Sequence, residues 1–248
     1  MALRIKRLTL LSLTSLLFLA ACSGAESTES SERAYRFALS PSALPANQAL
    51  GLCASQSLGV NESYRIESLF PSQMDPTEKD LIIHLAPPLE AFPASAQIGT
   101  ESLFLITHTN NPIGKLNLQQ LRAIFSGESK DWAQLGFEAG PIQLWVPTQT
   151  DEARVYLEQE ILGGAPISSN AKLSASPERM LNAVREDPQA IGVLPGAWLD
   201  NSVESSILTW PLPLLISSGA ELSGSLQRIT ACLQSGAGHE ILMENYDG

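Results

Sequence analysis

The chain has 248 residues and carries 15 Lys+Arg against 26 Asp+Glu, a formal net charge of −11. That length holds one large domain or two small lobes, and the 44% hydrophobic and 17% charged fractions exclude a disordered polyelectrolyte. The acidity argues against a nucleic-acid partner, which calls for a basic face to displace counterions, while a local basic pocket for a small anion stays open.

The first segment carries an export pattern. Arg4, Lys6 and Arg7 precede an apolar run from Leu8 to Ala21, broken only by Thr9, Ser12, Thr14 and Ser15. These are the charged and apolar regions of a secretory signal, too short and too early for a spanning helix of ~20 apolar residues. The run ends in Leu19-Ala20-Ala21-Cys22, which resembles the lipobox of bacterial lipoproteins. The resemblance implies cleavage after residue 21, with lipid on the Cys22 thiol and the new amino terminus. Several acyl chains, at ~0.8 kcal/mol per buried CH₂, make a durable membrane anchor. The alternative is an ordinary cleaved signal with an incidental cysteine. Residues 22–33 continue polar and Ser/Glu-rich and read as a flexible tether. The expectation is an exported chain, lipid-anchored on the periplasmic face or the cell surface, whose folded part spans 34–248.

Short β-type runs follow at Tyr35–Ser40, Tyr64–Leu69 and Leu81–Leu85, with a helix predicted over Ala46–Leu58. Cys53 on that helix and Cys232 near the end form an even pair in an exported chain, which permits one disulfide or two buried thiols. Leu103–Thr107 is another strand. Asn117 then caps a helix with Gln120 three residues on, Leu118, Leu121, Ile124 and Phe125 share its face, and Gly127 closes it. Ile142–Val146 reads as a strand, and Thr150 as the cap of a helix to Leu162, stopped by Gly163-Gly164. Ser176-Pro177 opens a further helix, halted before Pro188. Ile191–Leu194 is a short strand, Ile207–Ser217 is extended and broken by Pro211 and Pro213, and Leu222, Leu226, Ile229 and Leu233 make a helical stripe ending at Gly236. Strands alternating with helices indicate an α/β sheet with right-handed crossovers.

The stretch Asn110–Gly136 resembles the second-lobe entry of the phosphate-binding protein family of bacterial ABC importers. The resemblance rests on Asn111-Pro112 after a strand, Leu116 with Gln120-Leu121, Ile124-Phe125-Ser126-Gly127, and Trp132 followed by Leu135-Gly136. Ala190–Leu194 is similar to the family's Ile-Gly-Tyr-Val strand. Trp210–Ser217, the helix from Leu222, and Gly238–Tyr246 are similar to its closing elements. The resemblance implies a type II periplasmic-binding-protein-like fold: α/β, two lobes, two crossing hinge strands. Lobe one would comprise 34–103 plus 205–248, and lobe two 104–204. It further implies a small solute or ion, phosphate or another anion included, held between the lobes and passed to an ABC permease by a monomer without cofactor.

The family holds its anion with a Ser-Gly-Thr turn opening a helix and often followed by Arg. Here that place falls on Asp151-Glu152-Ala153-Arg154, so Arg154 is retained while two carboxylates replace the donors. These acids would complement the first turn of a helix and repel a bound phosphate. Thr148, Gln149 and Thr150 offer neutral donors just before it. After Leu81–Leu85 the family carries an Asp where Leu85 stands, with His84 in the place of a Ser; His84 is either a ligand contact or a satisfied buried residue. Ser40 and Ser42 keep hydroxyls after the first strand, as ligand groups or as an ordinary turn.

Enzymatic patterns are lacking in the sequence. His239-Glu240 begins a zinc-protease motif, but Met243 stands where its second histidine belongs, and there is no Gly-x-Ser-x-Gly elbow, phosphate loop or spaced Cys/His metal set. Trp132, Trp145, Trp198 and Trp210 are scattered and read as packing or lobe surface. The expectation is a non-enzymatic solute-binding lipoprotein. The alternative is a surface lipoprotein that uses a degenerate two-lobe scaffold for protein–protein or regulatory contacts.

Overall fold

Two five-stranded mixed sheets, each flanked by helices, form the folded chain in a computed structural model. It describes residues 32–85, 92–111, 116–208 and 211–246; the signal segment, Cys22 and the tether up to residue 31 lie outside the described residues, as does Trp210. The first strand, β1 (Arg33–Leu39), already begins within the predicted tether.

Sheet one contains β1, β2 (Glu62–Ser68), β3 (Leu81–Leu85), β4 (Ala94–Glu101) and a late strand, Leu212–Ser218, in the order β2-β1-β3-late-β4. β1 runs parallel to β2 and β3, and the late strand runs antiparallel to both of its neighbours. Phe37, Leu39, Leu81, Ile83, Leu214 and Ile216 are fully buried here. Each such side chain contributes about 1.5–3 kcal/mol relative to exposure. Helix α1 (Asn47–Ser57) makes the crossover from β1 to β2.

Sheet two contains β5 (Leu103–His108), β6 (Gln143–Pro147), β7 (Lys172–Ser174), β8 (Ala190–Pro195) and β9 (Val203–Ile207), in the order β7-β6-β8-β5-β9. Helix α2 (Leu118–Ser126) starts at Asn117, whose side chain accepts from the Gln120 N–H at 2.9 Å while Gln120 accepts from the Asn117 N–H. It ends at Gly127, whose φ of +81° only glycine adopts freely. The next helix, α3 (Glu152–Tyr156), widens into a π-helical turn over Leu157–Ile161, closed by the Leu162 N–H to the Leu157 carbonyl at 3.0 Å. Helix α4 (Pro177–Glu186) packs on β8, where Gly192 leaves room for Met180.

The strand Leu212–Ser218 is β10. Of the segment predicted as extended, Ile207–Ser217, only Ile207 falls in β9, which pairs with β5 in sheet two, and Leu212–Ser217 falls in β10, which pairs with β3 and β4 in sheet one. Sheet two thus runs to Ile207, three residues beyond the lobe boundary read from the sequence. Glu101 opposes Leu212, Phe104 opposes Ile207 and the Leu208 N–H donates to the Leu103 carbonyl, so the chain's two crossings between the sheets start and end beside each other. Helices α5 (Gly224–Ser235) and α6 (Ala237–Leu242) return to lobe one and pack against α1. Cys53 of α1 and Cys232 of α5 are joined by a disulfide, S–S 2.01 Å.

Candidate functional site

The carboxyl ends of parallel strands from both sheets meet in one place. Ser40 and Ser42 follow β1, Leu85 ends β3, Pro147 ends β6, Ser174 ends β7 and Pro195 ends β8. In α/β folds this is where ligands sit, because the loops there combine free backbone groups with side chains from several strands. Ser42, Pro147, Asp151, Ser174, Ser176 and Pro195 are among the residues lining a cavity of about 10 Å³, room for one water-sized sphere.

Two buried carboxyl groups dominate this space. Asp151, rather than the predicted Thr150, is the N-cap of α3: its Oδ1 accepts from the Ala153 N–H at 2.9 Å. A carboxylate one residue closer to the helix fits the cap better than the exposed Thr150 hydroxyl. The same Oδ1 accepts from the Ser42 hydroxyl at 3.3 Å, a bond from lobe two to lobe one. Glu152 Oε1 accepts from the Leu85 N–H at 3.3 Å, again across the lobes, with the Ser40 hydroxyl beside its carboxyl. Its Oε2 is buried and makes no hydrogen bond. Burial pushes Asp151 up to about 6, against the Ala153 N–H and the Ser42 hydroxyl, which favour the charged form. Burial first, and then the neighbouring Asp151 charge, push Glu152 up to about 8. Two carboxyls in one dry space cannot both ionise cheaply, so near neutral pH the pair keeps a proton.

Arg154 lies on the same turn and is also buried, but it turns away from the lobe-one groups. Its Nε meets Glu158 at 2.7 Å and its Nη1 donates to the Pro147 carbonyl at 3.2 Å. Thr148 is half-buried with an unpartnered hydroxyl, while Gln149 and Thr150 are exposed. His84 is fully buried within sheet one. Its Nδ1–H donates to the Leu85 carbonyl at 2.8 Å, and Nε2 accepts from the Ser217 hydroxyl at 2.9 Å, which commits both ring nitrogens. The structure thus brings Ser40, Ser42 and the acids together and turns Arg154 and His84 to other partners. Two further residues at the lobe junction escaped the sequence reading. Trp198 donates its Nε1–H to the Ser42 carbonyl at 3.2 Å. Glu101, at the end of β4, accepts from the Ser102, Gly196 and Ala197 N–H groups at 2.7, 2.9 and 3.2 Å. No local pattern announced either one, since the partners that join the lobes, Ser42 for Trp198 and Gly196 and Ala197 for Glu101, lie far along the chain.

A family profile described as the PBP superfamily domain matches residues 93–246, well over half of the chain. The chain belongs to the PBP superfamily. Solved structures agree on the fold of this PBP-superfamily chain. One is a protein from Clostridium perfringens with bound phosphate, described as a phosphate ABC transporter substrate-binding protein: 18% identity, TM-score 0.76, covering 86% of this chain and 98% of the other. An ABC-type phosphate transport receptor from Vibrio cholerae matches at 17% identity and TM-score 0.67, covering 86% and 99%. The reduced OxyR regulatory domain from Pseudomonas aeruginosa matches at 14% identity and TM-score 0.56, covering 82% and 98%. Among curated proteins the chain finds no match. The PBP fold therefore stands on firm ground, and identities this low carry the fold and no ligand.

Proposed function

We propose that the chain is an exported, lipid-anchored solute-binding protein that captures a small solute between its lobes for an ABC importer. The observation that carries this reading is the convergence of buried polar groups from both lobes, Ser40 and Ser42 against Asp151 and Glu152, at the carboxyl ends of the strands. The signal-like segment, the lipobox ending at Cys22 and the two transport-related structural neighbours support it. Phosphate stays within the proposal, but the arrangement favours a solute that donates hydrogen bonds or carries positive charge. Asp151 and Glu152 occupy the middle of the site, and Arg154 is engaged within lobe two. Micromolar binding calls for about −8 kcal/mol net, which a phosphate facing two acids would have to find in neutral donors.

A second reading has its own support. The cavity beside Asp151 holds only about 10 Å³ and the lobes are bridged by hydrogen bonds, which suits a scaffold used for protein–protein or regulatory contacts. Thermal unfolding of the detergent-solubilised protein with phosphate, sulfate, molybdate, nitrate, and neutral or cationic nutrients separates the two. A solute at ~100 times its Kd adds roughly 2.7 kcal/mol and raises Tm by several degrees. A saturable shift with one solute supports transport and identifies the cargo, and silence across the panel supports the scaffold.

A further inference from the structure

The residues that cross the cleft are unusual in their polarity. Every bond onto the acids from lobe one comes from an uncharged donor: the Ser42 hydroxyl to Asp151 and the Leu85 N–H to Glu152. Neutral N–H and O–H groups aimed between two lobes are suited to acceptor oxygens, and the oxygens found there are carboxyl oxygens of the chain itself. We infer that Asp151 and Glu152 act as an internal ligand, so that the two lobes close on the chain's own carboxyl groups with no solute between them.

Three features of the geometry support this. The contacts are inter-lobe: β3 and the loop after β1 belong to sheet one, while the acids open α3 beneath sheet two. The cavity that Ser42 and Asp151 line together has room for one water-sized sphere. Trp198 adds a third bond across the same gap, to the carbonyl of the residue whose hydroxyl holds Asp151. A solute entering this site therefore has to displace the acids, and its apparent affinity falls by the fraction of molecules that are self-closed.

Closure of this kind is tied to protons. The charged or titratable groups near Glu152 are Asp151 on its own turn and the buried Tyr246 at the C-terminal end, which Glu101 of β4 also faces, while His84 of β3 is committed to Ser217. Arg154 on the same helix faces Glu158. No cation among these neutralises the acids, so closing takes up a proton that the hydrated, open cleft releases. For carboxyls raised in the closed form the sign is definite: closure is fully favoured below their ordinary values and is lost as pH rises through about 6 and about 8. Each proton taken up changes the closed-to-open ratio about tenfold per pH unit within that window.

The test reads the lobes directly and needs no solute. Fluorophores placed by Val60→Cys on lobe one and Leu173→Cys on lobe two, both exposed positions, report the distance between lobes in the solubilised full chain. Transfer efficiency is expected to change progressively from pH 5.5 to pH 9, as the lobes part. Glu152→Gln, which keeps the shape without the charge, should lose the opening step near pH 8 and keep only the Asp151 step near pH 6. The Asp151→Ala/Glu152→Ala chain should show the open value even at pH 5.5. A pH-independent signal in the parent chain overturns the inference, as does identical pH-driven opening in Glu152→Gln. If the double variant fails to fold, the parent and Glu152→Gln curves still decide. Failure here leaves the solute-binding proposal standing, because the solute panel reads a different quantity.

Discussion

Glu101 ties the crossing strands to the loop after β8. Its carboxylate takes three backbone N–H groups, two of them from Gly196 and Ala197, and Gly196 is a tight position, where a Cβ would sit 3.0 Å from Glu101 Oε1 and from Phe104 and make both give way. Glu101→Ala takes this acceptor from the Ser102 and Ala197 N–H groups, while the Gly196 N–H keeps the Ser102 carbonyl at 2.8 Å, and is expected to cost about 2 kcal/mol, read by denaturant unfolding. Glu101→Gln, which keeps one acceptor oxygen, should cost less. Titration gives a second prediction at this scale, with two opposite signs. Burial holds the His84 imidazole below its ordinary value, so its contribution is present above about pH 6.5 and is lost as pH falls. Asp151 and Glu152 are raised, so theirs is present under acid conditions and is lost as pH climbs through about 6 and about 8. Tm should therefore fall on both sides of a maximum, and Glu152→Gln should flatten the alkaline side. A parent chain with equal Tm at pH 6 and pH 9 would show that the pair does not titrate as described. Sequence reading named Ser40 and Ser42 as ligand groups or an ordinary turn, and took Asp151 and Glu152 as first-turn acids of a helix, because strand ends and helix starts are marked locally. It could not orient Arg154 or His84, whose partners Pro147 and Ser217 are assigned by packing.

Among the elements, α1, α5 and α6 form a unit held by a covalent link and by a close approach. The Cys53–Cys232 disulfide spans 179 residues of sequence, and Gly238 of α6 leaves no space for a Cβ beside the Cys53 sulfur. Chain-entropy reasoning assigns such a link roughly 2–5 kcal/mol, so reduction should lower Tm by about 5–15 °C. Gly238→Ala should destabilise the parent chain, and most of that loss should vanish in a Cys53→Ala background, where the colliding sulfur is gone. A double-mutant cycle measures this coupling. Buried strands such as Leu81–Leu85 and helices with clear caps, α2 and α4, are legible because burial and capping leave local marks. The strands β4, β7 and β9 were not anticipated. All three are sheet edges, and ASAQIGTE, KLS and VESSI pair through backbone groups while placing few apolar side chains in the core.

At the scale of the whole molecule, the crossing strands make the two sheets one chain with one cleft, and the charge of −11 surrounds an interior that also carries acids. Membrane attachment is testable here: with Cys22 lipidated, the protein should partition with membranes, and Cys22→Ala should release it to the soluble fraction or stop its processing. Equal partitioning of both would favour the ordinary-signal alternative. By itself the sequence determined the export-like start, the α/β alternation and the membership signalled by Asn110–Gly136, since these depend on local composition, periodicity and residue order. Tertiary structure alone decided which groups fill the cleft. Asp151 and Glu152 are adjacent acids at the start of a helix in any linear reading, and such acids are ordinarily solvated. They become a buried, proton-holding pair only because Ser42 and Leu85, 109 and 67 residues away, are brought against them by the opposing lobe. Desolvation and inter-lobe bonding depend on distance in space, and no spacing along the chain encodes them.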